Sequence, residues 1–147
     1  LGSNPLDIKI IQGETYDVMN TCDTLIIASG SATLEAGIIG CPMVIVYKLS
    51  PLTYWLALSL VNTPYYGLVN IVAGEGVAPE LIQSEANAEN IAAETLKFLK
   101  NPEHCQEVRD RLLRVRKNLG SPGVMKAVAS SMADSLSKIT PHEKISL

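Results

Sequence analysis

Between Thr24 and Tyr47 the chain spells strand, turn, helix and strand with almost no spare residues. Thr24-Leu-Ile-Ile-Ala28 is a continuous apolar run bounded by turn signals, the pattern of a strand buried on both faces. Ser29-Gly30-Ser31 is a small-residue turn, and the helix it opens is expected to run to Ile39 and end at Gly40, a suitable C′ residue. Pro42 then opens a second apolar strand, Met43-Val-Ile-Val-Tyr47. With Asp7 to Gln12 as a first strand and Glu14 to Thr21 as a first helix, strand–helix–strand–helix–strand at this spacing argues for right-handed crossovers and an α/β fold with a parallel sheet. In such sheets ligands bind beyond the carboxyl ends of the strands, where Ser29 to Ser31 and Tyr47-Lys48 fall.

The turn itself carries chemistry. Ser29, Gly30 and Ser31 offer closely spaced backbone N–H groups at a helix N-terminus, a setting that suits a phosphate or pyrophosphate. Glu35 follows about one turn later, placed to accept hydrogen bonds from sugar or ribose hydroxyls. The plainer reading is an ordinary strand-to-helix turn, with Ser29 or Ser31 as N-cap and Glu35 supporting the dipole. The spacing is neither GxGxxG nor GxxxxGK[ST], so neither dinucleotide nor ATP binding is indicated.

Upstream, Asp7-Ile-Lys-Ile-Ile-Gln12 reads as a strand ending at Gly13, and Glu14 to Thr21 as a short helix with Tyr16 and Met19 as core contacts. Downstream, Pro51 to Val61 is apolar nearly all round; at eleven residues it is too short to span a bilayer, which takes about 20. With no Lys or Arg inside it, a covered core or domain-interface helix is favoured over an interfacial one. Asn62 to Asn70 reads as a loop, with Asn70 able to donate and accept towards a pyrophosphate or sugar, or to form an Asx-turn. Pro79-Glu-Leu-Ile-Gln83 puts Glu80 and Gln83 on one face of a helical turn, where they either clasp hydroxyls or face solvent. Asn87 caps a helix to about Lys100 with Ile91, Thr95, Leu96 and Leu99 on one face. Pro102 starts another, striped by Val108, Leu112, Val115 and Leu119, and a last helix from Val124 to about Lys138 carries Val124, Val128, Met132 and Leu136.

Charge divides the chain. Residues 1–96 sum to −8 and residues 97–147 to +5, within an overall −3. A basic tail of this kind suits an anionic membrane surface, a phosphorylated ligand or a partner domain, or simply a solvated helix pair. Nucleic acid is a poor partner, because the basic stretch lacks interleaved aromatics. Three unpaired cysteines read as core residues of a reducing compartment, and two histidines leave little material for a His-based metal site.

Four linked stretches carry a resemblance. Ser29-Gly-Ser-Ala-Thr-Leu-Glu-Ala36, Cys41-Pro-Met-Val-Ile-Val-Tyr-Lys48, Leu68-Val-Asn-Ile-Val-Ala-Gly74 and Pro79-Glu-Leu-Ile-Gln83, in this order and spacing, resemble the carboxy-terminal part of the lipid-A-disaccharide synthases, inverting glycosyltransferases of the GT-B type. The likeness runs from about residue 8 to about residue 135; the family's Leu-Pro-Asn stands here as Leu68-Val69-Asn70, which keeps the Asn. The resemblance implies transfer of 2,3-diacylglucosamine from its UDP-linked donor to 2,3-diacylglucosamine 1-phosphate, forming a β-1,6 disaccharide and UDP without metal or cofactor. It implies substrate-binding roles for Ser29, Gly30, Ser31, Ala32, Thr33, Glu35, Asn70, Glu80 and Gln83. No residue here reads as the general base, which the resemblance puts in an acceptor domain upstream, so the chain is expected to be an inactive fragment.

The expected organisation is a Rossmann-like nucleotide-sugar-binding region over 1–100, helices over 101–139 and a disordered tail over 140–147. The final helix is expected to cross back to the amino-terminal domain. A cytoplasmic protein, peripheral at the inner face of the inner membrane and able to self-associate, fits this picture. Two rivals stand beside it: another UDP-sugar GT-B enzyme, such as a murein-type N-acetylglucosaminyl transferase, and a non-catalytic module that docks through 51–61 and the basic tail.

Overall fold

A computed structural model describes residues 7–50, 64–120 and 123–139. Helix α1 (Thr15–Thr21) leads into strand β1 (Leu25–Ala28), helix α2 (Ser31–Ile39) and strand β2 (Met43–Tyr47). Helix α3 (Leu68–Ala73) and strand β3 (Glu80–Ile82) follow, then a 3₁₀ turn over Gln83–Glu85. Helices α4 (Ala88–Lys100), α5 (Pro102–Asn118) and α6 (Val124–Ile139) complete the described chain.

The three strands form one parallel sheet in the order β1-β2-β3, with Leu25 opposite Met43 and Ile45 opposite Glu80. This is the expected Rossmann-like α/β class. Helix α2 starts at Ser31 and stops at Ile39, where Gly40 takes φ 87° and returns its N–H to the carbonyls of Ala36 and Gly37. Parallel pairing buries the middle strand from both sides: Met43, Val44 and Ile45 have no exposed surface. Helix α4 lies on β1 and β2, while α5 packs against α2, α3 and α4. Phe98, Val108, Leu112 and Val115 join the strand residues in a single core, with Leu112 wholly enclosed. Asn87 caps α4 through the Asn90 N–H, and Asn101 caps α5 through the His104 N–H.

Several sequence expectations are corrected. Residues 7–12 form no strand; Ile8 and Ile10 are 74% and 95% exposed, because no strand among the described residues lies beside them to pair with. Strand β1 is covered on one face only: it is the end strand of the described sheet, and Ile26 faces outward. Tyr16 is exposed, leaving Met19 as the buried residue of α1. Asn70 sits in helix α3 rather than a loop, and Glu80 lies in a strand rather than a helical turn, because β2 offers it a parallel ladder. On α4 Ile91 packs against the core as expected and Phe98 is buried, while Leu96 and Leu99 are turned to solvent. On α5 the stripe holds to Val115, and Leu119 is exposed. Val124, Val128, Met132 and Leu136 share one side of α6 and are exposed together. The expectations for Pro51 to Val61 and for residues 140–147 lie outside the described residues.

Candidate functional site

The β1–α2 turn ends a strand and begins a helix at the carboxyl edge of the sheet. Ser29 is fixed from both sides: its N–H donates to the Val46 carbonyl at 3.2 Å and its hydroxyl to the Tyr66 carbonyl at 3.1 Å. Thr33 turns inward, fully buried, with its hydroxyl 2.8 Å from the Gly30 carbonyl and its N–H donating to that same oxygen. The N–H groups of Gly30, Ser31 and Ala32 make no hydrogen bond to any other described residue. Among the described residues, nothing stands within 4 Å of where a Gly30 Cβ would lie, so they leave the space beside Gly30 open. Uncovered N–H groups at the positive end of a nine-residue helix make this turn suited to an anion.

Glu35 lies four residues after Ser31, so both share the outward face of α2. Tyr16 of α1 meets it. The Glu35 carboxylate, through hydrogen bonding first and then its charge, raises the Tyr16 phenol above its ordinary pKa. The apolar spacing of α1 suggested a core role for Tyr16, so this partnership escaped the sequence; only the α1–α2 packing creates it.

Asn70 of α3, Glu80 of β3 and Gln83 just past the end of β3 face one cavity. Asn70 is 1% exposed and uses its whole amide within the chain. Its Nδ2 donates to the Ala78 carbonyl and to Glu80 Oε1, each at 2.7 Å, while its Oδ1 accepts from the N–H groups of Val77 and Ala78 at 2.9 Å. Glu80 in turn accepts from the Tyr66 N–H at 2.8 Å and the Gly67 N–H at 2.9 Å, on the entrance to α3. Gln83 accepts from the Leu49 N–H at 2.7 Å and donates to the Leu49 carbonyl at 3.1 Å.

These three side chains line a cavity of about 830 Å³ whose other walls include Tyr66, His104 and Arg111. Arg111 is engaged there by Glu75 at 3.0 Å and the Gly76 carbonyl, and Lys97 by Glu94 at 2.6 Å. The turn residues Ser29 to Thr33 and Glu35 are not among the walls; the Ser29 bond to the Tyr66 carbonyl connects the two groups. Among the described residues, no cluster of three or more His, Cys, Asp or Glu side chains could hold a metal ion.

A Rossmann-like parallel sheet with an anion-suited turn after its first described strand defines a broad class. The comparisons with known proteins narrow it. The family model described as Lipid-A-disaccharide synthetase matches residues 3–134. A lipid-A-disaccharide synthase of Geobacter metallireducens is 45% identical over 138 residues, covering 94% of this chain and 36% of the relative. One from Geobacter sulfurreducens is 44% identical with the same coverage, and one from Trichlorobacter lovleyi is 47% identical over 84% of this chain and 32% of the relative. The chain belongs to the lipid-A-disaccharide synthetase family. It spans about a third of the length of the curated relatives it matches.

Proposed function

We propose that this chain supplies the donor-nucleotide side of a lipid-A-disaccharide synthase, a hexosyltransferase that moves 2,3-diacylglucosamine from UDP to a lipid acceptor, 2,3-diacylglucosamine 1-phosphate. The observation that carries this reading is the β1–α2 turn, with three uncovered N–H groups, open space beside Gly30 and Glu35 one turn along, in a chain matched to the family over 3–134. A departing diphosphate gathers negative charge as the glycosidic bond breaks. The Gly30, Ser31 and Ala32 N–H groups stabilise that charge from a fixed position, without a metal. Glu35 accepts hydrogen bonds from the ribose hydroxyls. Asn70, Glu80 and Gln83 orient the donor from behind the turn.

The acceptor-binding part and the general base for the inverting step are assigned to the remainder of the longer relatives, so this chain alone is expected to form no disaccharide. No described helix is long and apolar enough to cross a membrane. Contact with the inner face of the inner membrane is assigned to the exposed basic side of α5 at Arg114, Arg116 and Lys117.

Titration with UDP and ADP, for wild type and Glu35→Ala, tests the reading. UDP is expected to bind in preference to ADP. Loss of a charge-assisted hydrogen bond of about 1.5–3 kcal/mol weakens UDP by roughly 10- to 100-fold in the variant. Equal UDP affinity in both proteins would overturn the Glu35 assignment, and no UDP binding to wild type would overturn the donor-site reading.

A further inference from the structure

Strand β3 grips the chain at two places it does not pair with. Its first residue, Glu80, holds the N–H groups of Tyr66 and Gly67; the residue just past its end, Gln83, holds both backbone groups of Leu49. Leu49 and Tyr66 are the two roots of one connection, where the chain leaves β2 and where it comes back before α3.

The grip is built, not incidental. A carboxylate offers about four acceptor sites, and three of those on Glu80 are filled by Tyr66 N, Gly67 N and Asn70 Nδ2. The Gln83 amide donates and accepts at Leu49, as a strand neighbour does, and so extends the β2–β3 ladder past the Tyr47–Ile82 pair. Gln83 is also the one non-glycine residue with positive φ, 53°, among the described residues. A side-chain-bearing residue keeps that backbone only where its surroundings over-determine it. Gly67 seals the returning root: a Cβ there would stand 2.5 Å from Ile45 Cδ1. The returning root is bonded in turn to the donor turn, through the Ser29 hydroxyl on the Tyr66 carbonyl.

We propose that Glu80 and Gln83 are positioning residues for the donor turn, clamping the two roots of the 50–65 connection to β3, and that neither touches the sugar. The proposal rests on the donor-site reading above and sharpens it. With Glu80 removed, Tyr66 and Gly67 lose their anchors, and the Ser29 hydroxyl loses a fixed acceptor. With Gln83 removed, the outgoing root at Leu49 comes loose.

Two readouts on this chain test it: residue-resolved amide exchange, and titration with UDP and with UDP-N-acetylglucosamine. Glu80→Ala is expected to abolish protection at Tyr66 and Gly67, and Gln83→Ala at Leu49, with the amides of β1 unchanged. Both variants are expected to weaken UDP and UDP-N-acetylglucosamine by one common factor of about ten, since the damage lies beneath the turn rather than at the sugar. Glu80→Gln keeps one oxygen for the three donors, and Gln83→Glu keeps the acceptor for the Leu49 N–H; each is expected to fall between wild type and its alanine variant. These two also carry the test if an alanine variant does not fold. Weaker UDP-N-acetylglucosamine binding with unchanged UDP binding and intact protection would overturn the proposal in favour of direct sugar contact. If wild type binds neither nucleotide, the donor-site reading falls and exchange alone judges the clamps: unchanged protection at Leu49, Tyr66 and Gly67 overturns them, and its loss supports them.

Discussion

Replacing Asn70 tests how much of this fold hangs on one amide. Asn70→Ala deletes four hydrogen bonds, to Val77 N, Ala78 N, the Ala78 carbonyl and Glu80 Oε1. The site is closed to water, with Val77 and Ala78 each 3% exposed, so the abandoned groups cannot all rehydrate. At about 0.5–1.5 kcal/mol for each bond, with the higher end for donors left buried, the loss is about 4 kcal/mol. That is a large part of the roughly 5–15 kcal/mol that holds a domain together. Asn70→Asp separates donors from acceptors. It keeps the bonds from Val77 and Ala78, loses both Nδ2 donors, and sets a second carboxylate where Nδ2 now sits 2.7 Å from Glu80 Oε1. At pH 7 the expected loss is about 3 kcal/mol. Like charges at that distance raise the folded-state pKa of the carboxylate pair above its unfolded value. The pair's contribution is then complete at low pH and lost as pH rises through the raised value. Urea unfolding followed by circular dichroism is therefore expected to show the Asn70→Asp deficit shrinking as pH falls below 7, while Asn70→Ala keeps its deficit. An Asn70→Ala loss under about 1 kcal/mol, or an Asn70→Asp variant as stable as wild type at pH 7, would refute the assignment of four working hydrogen bonds.

Gly67→Ala is expected to cost about 1–3 kcal/mol by crowding alone, since φ −79° suits alanine and the obstacle is Ile45 Cδ1. Ile45→Val removes that methyl, so the double variant is expected to lose less than the two single losses summed; strict additivity would contradict the contact. Cys41 is 1% exposed, and burial above all, partly offset by Arg109, pushes its thiol up to about 11 from 9.0. Because the folded chain holds that proton longer than the unfolded one, the group's stabilisation is complete below pH 9 and is lost as pH rises through about 11. Iodoacetamide at pH 8 is expected to label the half-buried Cys22 and Cys105 and to spare Cys41 until denaturant is added; prompt labelling of Cys41 would contradict its burial.

What could be read from the sequence was what neighbours in sequence decide. The boundaries of α2 were legible because a small-residue turn and Gly40 mark them locally, and β2 because an apolar run of five follows Pro42. The 7–12 segment has the alternation of a strand, but alternation does not supply a partner, and none lies beside it among the described residues. Pro79 to Gln83 carries residues at helical spacing, yet Leu81 packs into the core as part of a ladder that Ile45 and Val46 impose from 35 residues away. At the candidate site the orientation of the side chains was not legible. Glu80 and Gln83 have the length to reach a ligand; their targets, at Tyr66, Gly67 and Leu49, are backbone atoms that no side-chain pattern encodes.

The Asn70–Glu80 bond also bears on the order in which the chain folds. It closes a span of ten residues, whereas Ser29 and Tyr66 are 37 apart and Leu49 and Gln83 are 34 apart. Chain entropy makes the short span easier to close by about 1 kcal/mol. The knot of α3 and β3 is therefore poised to form first, and it then presents one fixed root, at Tyr66 and Gly67, to a sheet still assembling around β2. Folding kinetics are expected to reflect this sequence: substitutions at Asn70 chiefly slow folding, and Ser29→Ala chiefly speeds unfolding, the reverse pattern counting against it. A side-chain lock local in sequence thus becomes a template for the long-range closures that complete the site.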